Sequence, residues 1–492
     1  MNSEERRLHP SAMIMGAMKT LRRWIGFLAA GGAAAIFGGG MDLSLYLILG
    51  ATVVVLGSML WGILSWRATR YWTSGGAFYL RQGVLQKNER TIPLEHVQSV
   101  DTVQGIMQRI FGVVEVRIET AGGGTSEADA SLSALNRDAT DLLRQELEGI
   151  RSETVEDEEK AGPTVLRRLS TRDLLLAGAT SGQIGVALSL VAIGSQFFDN
   201  FFSKRLFERF YETIAPQSIV AILTIVFLIG LFAWLFAIGG TVLAYAGFTL
   251  SREGDFLYIK RGLLEKREAT IPLNRIQAVR IVEGVLRQPF GFALLRVESA
   301  GYGAGTEDVA VSTTIFPLLP RREAVQLLKE AAPEFAVEPE LRPLPRRSLR
   351  RYVFRSTVAF LMLAVVAGVW LSFALDSTLA GFAFLPMLIP AALYGWLRYR
   401  DAGWEVVEDR LVARSRTLGR TTSIAPRRRL QSRSVVRSPF QRRARLATFR
   451  VRVASGGGGT EVTVVDLESS SAFSLLRLLG PRHQLRFRRP LE

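Results

Sequence analysis

One soluble pattern occurs three times in this chain, and each copy follows a long apolar stretch. The first copy reads TIPLEHVQSVDTVQGIMQRIFGVVEVRIETAGGG from Thr91, and the second reads TIPLNRIQAVRIVEGVLRQPFGFALLRVESAGYG from Thr270. Without a gap, Gln98, Phe111, Gly112, Arg117 and Gly122 match Gln277, Phe290, Gly291, Arg296 and Gly301. The third copy, from Ile424, is looser. It keeps Pro426, Gln431 and Arg450 at the same separations, but places Ala444 and Arg445 where the others have Phe and Gly. A period this long repeats a domain and not a solenoid unit.

The apolar residues make up 48% of the 492, alongside 22% charged residues, so they must be concentrated somewhere. They fall in six runs, at 25–41, 43–66, 174–198, 219–245, 357–375 and 379–397. A bilayer core of about 30 Å takes roughly 20 apolar helical residues, which each run approaches or exceeds. The first run is the weakest, because eleven of its seventeen residues are glycine or alanine. With Lys19, Arg22 and Arg23 before it, that run could instead be a cleaved signal peptide. The paired layout of the other repeats favours its retention as one leg of a hairpin.

Arginine placement orients the hairpins. Basic residues gather at their open ends: Arg22 and Arg23, then Arg67 and Arg70; Arg167, Arg168 and Arg172; Arg346, Arg347, Arg350, Arg351 and Arg355, then Arg398 and Arg400. Lys204, Arg205 and Arg209 at the second tip dissent, but the first and third tips hold no positive charge. By the positive-inside rule, both termini and all three repeated modules face the cytoplasm, and the protein is a multi-pass protein of the inner membrane. The second tip also differs in pattern. Over 199–214, Phe202, Leu206, Phe207, Phe210, Tyr211 and Ile214 fall on one helical face, opposite Lys204, Arg205, Glu208, Arg209 and Glu212. This is expected to be an amphipathic helix in the outer interface, or else a docking face for an external partner.

Within the modules, stretches such as VVEVRIETA and ALLRVESA alternate and predict strands with one buried face. Each module is expected to close with a helix, at 137–148, 321–332 and 471–479, with Leu142, Leu143 and Leu147, or Leu327 and Leu328, on its apolar face. Roughly seven strands and a helix in about 90 residues describe a small bent antiparallel sheet capped at one end. The expected layout is an N-terminal tail 1–20, hairpin 21–67, module 68–150, acidic linker 151–172, hairpin 173–246, module 247–333, Pro/Arg-rich linker 334–352, hairpin 353–397 and Arg-rich module 398–492.

A hairpin, then a strand, an RQG or KRG turn, an IPL segment, a Gln and an FG before a strand containing Arg resembles the bacterial pleckstrin-homology-like (PH-like) family called domain of unknown function 304. The residues that carry the likeness are Ile92, Pro93, Leu94, Gln98, Phe111, Gly112 and Arg117, with Ile271, Pro272, Leu273, Gln277, Phe290, Gly291 and Arg296. The three-copy layout resembles that family's YdbT-like members. The resemblance implies an α+β multidomain membrane protein with six transmembrane helices as three hairpins. Each hairpin is then followed by a cytoplasmic PH-like antiparallel β-barrel with a C-terminal helix. It brings no biochemical activity with it.

The prolines Pro93, Pro272 and Pro426 suit a strand start or edge, and Gln98 and Gln277 could satisfy backbone groups where the sheet bends. The glycine clusters at 122–124, 301–305 and 456–459 precede strands, so they read as hairpin turns and not as phosphate loops. No enzyme motif is present. The histidines His9, His96 and His483 are not spaced with other ligands, and the chain has no cysteine, so neither metal nor cofactor is expected. The acids at 156–159 read as a solvated tether, and Gln183 is the single polar centre within the spans.

Charge is concentrated in the third module. From residue 398 to the end there are 21 arginines, no lysine and eight acids, which is +13 of the chain's +16. Arg427, Arg428, Arg429, Arg433, Arg437, Arg442, Arg443 and Arg445 form the candidate contact with anionic lipid headgroups, where each well-placed cation contributes about 1 kcal/mol. Arginine bias of the genome combined with the positive-inside rule is the plainer reading of the same residues. Nucleic acid is not expected as a partner, because only Phe440 and Phe449 offer stacking. Two functions follow: a non-enzymatic membrane scaffold or adaptor whose modules bind a protein partner or anionic lipid, or a transporter or lipid-handling enzyme component. Only the glycine-rich spans with Pro386 and Pro390 favour the second.

Overall fold

A computed structural model describes residues 5–38, 41–120, 130–149, 163–181, 219–299, 314–374, 376–455 and 460–480. The stretch 199–214, with Phe202, Leu206, Phe207, Phe210 and Tyr211, lies outside them, as do the glycine clusters, the acids at 156–159 and Gln183. Two compact units are formed, Met1–Arg168 with Leu243–Pro272, and Leu169–Val242 with Leu273–Glu492.

In the first unit, β1 (Arg6–Arg7) precedes two long helices, α1 (Ala12–Gly38) and α2 (Met41–Ala68). The first apolar run thus continues a helix that starts well before it. Glycine lets the pair approach closely: a Cβ on Gly62 would collide with Met13 O and lie 2.9 Å from Ala17 N. From α2 the chain passes into β2 (Arg70–Ser74), β3 (Ala77–Gln82) and β4 (Asn88–Pro93), which join β1 in a four-stranded antiparallel sheet. Then come β5 (Val97–Gln104), the short helix α3 (Ile106–Ile110), β6 (Val113–Thr120), β7 (Ala130–Asn136) and α4 (Arg137–Gly149). Tyr71, Phe78 and Leu80 of the first sheet share one core with Val116, Ile118 and Leu132, and with Leu143 and Leu147 of α4. Leu143 and Leu147 are one helical turn apart and face inward, whereas Leu142 is half exposed.

The second repeat supplies β8 (Thr164–Arg168), α5 (Thr171–Ala179), α6 (Ile219–Tyr245), β9 (Thr249–Glu253), β10 (Phe256–Arg261) and β11 (Lys266–Pro272). It continues with β12 (Ile276–Glu283), β13 (Phe292–Ser299), β14 (Thr314–Pro320) and α7 (Arg321–Ala331). The third repeat opens with β15 (Arg342–Pro343), α8 (Arg346–Ala374), α9 (Leu388–Asp401), β16 (Gly403–Val407), β17 (Arg410–Arg416) and β18 (Arg420–Pro426). It ends with β19 (Leu430–Val436), α10 (Pro439–Arg443), β20 (Leu446–Val453), β21 (Thr460–Glu468) and α11 (Ser469–Leu478).

The expected barrel in each module is not found among the described residues. No sheet there closes on itself; instead, neighbouring repeats share sheets. One seven-stranded sheet runs β7-β6-β5-β11-β10-β9-β8 and another runs β14-β13-β12-β18-β17-β16-β15, leaving β19-β20-β21 as three strands. A three-stranded half-module ends in an edge of unpaired N–H and C=O groups, and the next repeat supplies the strand that satisfies them. The stretch 151–172 contains β8, and 334–352 contains β15.

Three described helices hold stretches long and apolar enough to cross a membrane, Ile48–Ala68, Phe227–Tyr245 and Arg346–Phe373. The run at 379–397 is not one continuous helix: two single turns, Leu379–Phe382 and Leu385–Met387, lead into the 14 residues of α9. Such a helix spans only about 21 Å. Pro386 and Pro390 lack the N–H that would continue the ladder backwards. The shared prolines end strands β4, β11 and β18 and do not begin them; Pro93 (φ −56°) and Pro426 (φ −66°) turn the chain into a short 3-10 helix. The repeated glutamine stands at a β-bulge in every copy, between Val97 and Ser99, Ile276 and Ala278, and Leu430 and Ser432. There Gln277 Nε2 donates to Arg275 O at 3.0 Å, as the bend requires.

Candidate membrane-interface site

In each repeat the strand ends beside the spans expose large apolar side chains. Helix α2 delivers the chain into β2 at Arg70, and Arg70 pairs with Arg81, so the β3–β4 connection lies at the span end of its sheet. Leu85 in that connection is 87% exposed. In the second repeat Thr249 follows α6 and pairs with Lys260. The β10–β11 connection then carries exposed Leu263 and Leu264, and Leu263 N donates to Leu243 O of α6 at 2.9 Å. In the third repeat Gly403 follows α9 and pairs with Arg414, and Leu418 in the β17–β18 connection is 74% exposed. Solvated turns favour Gly, Asn, Asp and Ser, yet all three of these turns present leucine.

A second set of tips follows β5, β12 and β19. Ile106, Ile110 and Phe111 are exposed in the first repeat, Val285, Leu286 and Phe290 in the second, and Phe440 in the third. They lie at the same end as the leucines. Gln104 at the end of β5 pairs with Lys266, and Arg109 Nη2 donates to Leu263 O at 2.7 Å. Likewise Glu283 pairs with Arg420, next to the turn that holds Leu418.

Phe440 belongs to α10, which a capping box starts: Ser438 Oγ accepts from Gln441 N, and Gln441 Oε1 accepts from Ser438 N. Gln441 Nε2 also donates to Asp466 Oδ1 at 2.8 Å. Asp466 is fully buried and meets Arg351 at 3.1 Å and Arg355 at 3.2 Å, both on the first turns of α8. Ser348 Oγ donates to Asp466 O at 2.6 Å. Thus α10 is fastened to the base of a candidate span.

The eight candidate arginines divide into two groups. Arg427 donates to Gly480 O and Arg433 donates to Leu479 O, satisfying carbonyls that the end of α11 leaves open. Arg428 pairs with Glu334 at 2.7 Å, and Arg429 bonds Asn274 O and stands 3.7 Å from the same Glu334. Burial pushes the Glu334 carboxyl up, but the Arg428 hydrogen bond and the charges of Arg428 and Arg429 outweigh it, so the acid is held below its ordinary value. Burial first, and then Arg427, lower the basicity of Arg433. Arg427 and Arg433 thus act within the third module, whereas Arg428 and Arg429 tie it to Asn274 of the second repeat and to Glu334. The other four surround Phe440: Arg437, which stacks on Phe473 at 5.0 Å, and the exposed Arg442, Arg443 and Arg445.

Arg445 takes the place of Gly112 and Gly291. Those glycines have φ of 65° and 68°, and Arg445 keeps the left-handed conformation at 53°. A side chain is strained there, so the position retains a charge despite its backbone. The sequence reading missed Asp466 and the buried Glu283, which Arg420 grips through Nε at 3.0 Å and through Nη2. A lone acid among the valines of VTVVDL was the available signal for Asp466. Among the described residues, no cluster of three or more His, Cys, Asp or Glu residues could hold a metal.

Comparison with known proteins finds the same three repeats. The family described as Bacterial PH domain matches three times, at residues 26–150, 210–334 and 354–482. The chain is also 32% identical over 492 residues to the UPF0699 transmembrane protein YdbT of Bacillus subtilis (strain 168), covering 96% of this chain and 98% of that protein. No solved structure matches.

Proposed function

The chain belongs to the bacterial PH domain family, and from that premise we propose that it is a non-enzymatic scaffold of the inner membrane. In this reading its modules rest on the cytoplasmic leaflet. Six crossings in three hairpins place both termini and all modules on that side, as the arginines at the hairpin ends favour. The apolar tips Leu85, Leu263, Leu418, Ile110, Phe290 and Phe440 dip into the acyl boundary, and Arg437, Arg442, Arg443 and Arg445 meet anionic headgroups beside Phe440. The observation that carries this reading is the recurrence of exposed apolar tips at the span end of all three repeats. Fold maintenance does not require it, because buried residues hold the fold.

Because the chain has no cysteine, single cysteines at positions 85, 290 and 440 can each carry an environment-sensitive dye in the reconstituted full-length protein. The expected result is blue-shifted emission at all three sites, with the shift at position 440 larger in vesicles containing phosphatidylglycerol than in neutral vesicles. Water-like emission at all three sites in both compositions would refute the reading.

A further inference from the structure

The two joints between repeats use one register. Gln104 pairs with Lys266 and Glu283 pairs with Arg420. Gln104 and Glu283 each stand six residues after the repeated glutamine, Gln98 or Gln277. Lys266 and Arg420 each stand six residues before the repeated proline, Pro272 or Pro426. The neighbouring pairs Val103 with Arg267 and Val282 with Thr421 keep the same correspondence. The side chains around these joints differ, so the recurrence belongs to the backbone geometry of the repeat.

Three repeats make two such joints and leave two half-joints. Among the described residues, β4 pairs with β3 alone and β19 pairs with β20 alone. Exposure follows. Thr91 in β4 is exposed, whereas its equivalents Thr270 and Ile424 are 7% and 0% exposed. Ser432 in β19 is exposed, whereas Ser99 and Ala278 are 4% and 0% exposed. The first repeat thus offers the strand that a third repeat would need, and the third offers the strand that a first repeat would need.

We propose that two copies of this chain join head to tail, with β19 of one pairing antiparallel to β4 of the next in the register of the internal joints. That register sets Val436 opposite Asn88 and Ser432 opposite Ile92. Arg437 then faces Lys87, and Glu89 falls diagonally between Arg433 and Arg437, which offsets that repulsion. The contact is heterologous, since different surfaces meet. Each added copy therefore leaves one β4 and one β19 open, so the assembly grows in the membrane plane until it closes as a ring or continues as a row.

Directly opposed residues in an antiparallel pair have Cα atoms about 4.5–5.5 Å apart, within disulfide range. Asn88→Cys and Val436→Cys are placed in separate full-length chains with different tags, coexpressed, and oxidised mildly in native membranes. Both positions are exposed, and unchanged protease resistance of each variant checks that the fold is retained. The expected product is a crosslinked dimer carrying both tags, absent when either variant is expressed alone. A mixed dimer no more abundant than those single-variant controls would overturn the proposal, leaving the charged residues of β4 and β19 as plain edge protection. Exclusive crosslinking within one chain in the doubly substituted protein would overturn it equally.

Discussion

Arg351 Nε donates to Asp466 Oδ1 across 3.1 Å, joining the base of a candidate span to the last strand of the third repeat. Arg355 approaches the other carboxylate oxygen at 3.2 Å, and Tyr352 OH donates to Val465 O at 3.2 Å. Asp466 itself is fully buried with φ of 55°, so both its charge and its backbone depend on these partners. Removing one member of a buried ion pair costs about 3–5 kcal/mol. Asp466→Ala is expected to destabilise the third module on that scale and to loosen α10, seen as a lower denaturation midpoint in detergent and faster proteolysis near residue 440. Unchanged midpoint and cleavage would contradict this account of the node.

The arginines separate by effect. Arg427→Ala and Arg433→Ala remove caps from α11 and are expected to lower stability by about 1 kcal/mol each, with lipid contact unaltered. Arg442→Glu with Arg443→Glu is expected to do the reverse: the denaturation midpoint is kept and the lipid-dependent shift of a dye at position 440 is lost. The same two measurements on both sets of variants provide the check.

Left-handed backbone makes a third contrast. Gly291→Ala forces a side chain into φ of 68° and is expected to cost about 1–2 kcal/mol. Arg445→Gly relieves the same conformation and is expected not to lower stability, while still weakening contact with anionic vesicles. Urea titration of the two variants tests the sign.

Acid should act through Glu334. Its folded value lies below the ordinary one, so its stabilising contribution is complete above the ordinary carboxylate range and is lost as pH falls through the depressed folded value. Glu334→Gln is expected to lower the midpoint at neutral pH and to flatten its decline below about pH 4.5, the range in which carboxylates titrate. Parallel decline of wild type and variant would remove Glu334 from that role.

Much of this architecture is legible in the sequence. Alternation in VVEVRIETA and ALLRVESA marks β6 and β13, and the terminal helices α4, α7 and α11 fall close to where their leucines place them. The repeated glutamine marks a bend because bend chemistry must recur with each copy of a fold. Which half-sheet pairs with which was not legible. Backbone groups make both joints, with the Glu283–Arg420 ion pair added at the second, and the side chains flanking Gln104 and Lys266 carry no mark that sets them apart from any other strand pair. The first strands β1 and β15 are two residues each, too short for any periodicity. The Asp466 node joins residues 115 apart, so a basic helix and a lone acid read as unrelated until the fold brings them together. Composition cannot tell a cation that caps a helix, such as Arg427, from one that faces outward, such as Arg442.

The strands that flank each helical segment carry a constraint on crossing parity. Arg7 pairs with Arg70, Arg168 with Thr249, and Pro343 with Gly403, each pair straddling one helical segment. Hydrogen-bonded strands cannot face each other through a bilayer, so the chain between the members of each pair can traverse the membrane only an even number of times. If α8 crosses the membrane, a return must come before Gly403, along the proline-broken stretch that ends in α9. Flipping a single helix would break a sheet, so each strand pair links the placement of the two chain segments it joins.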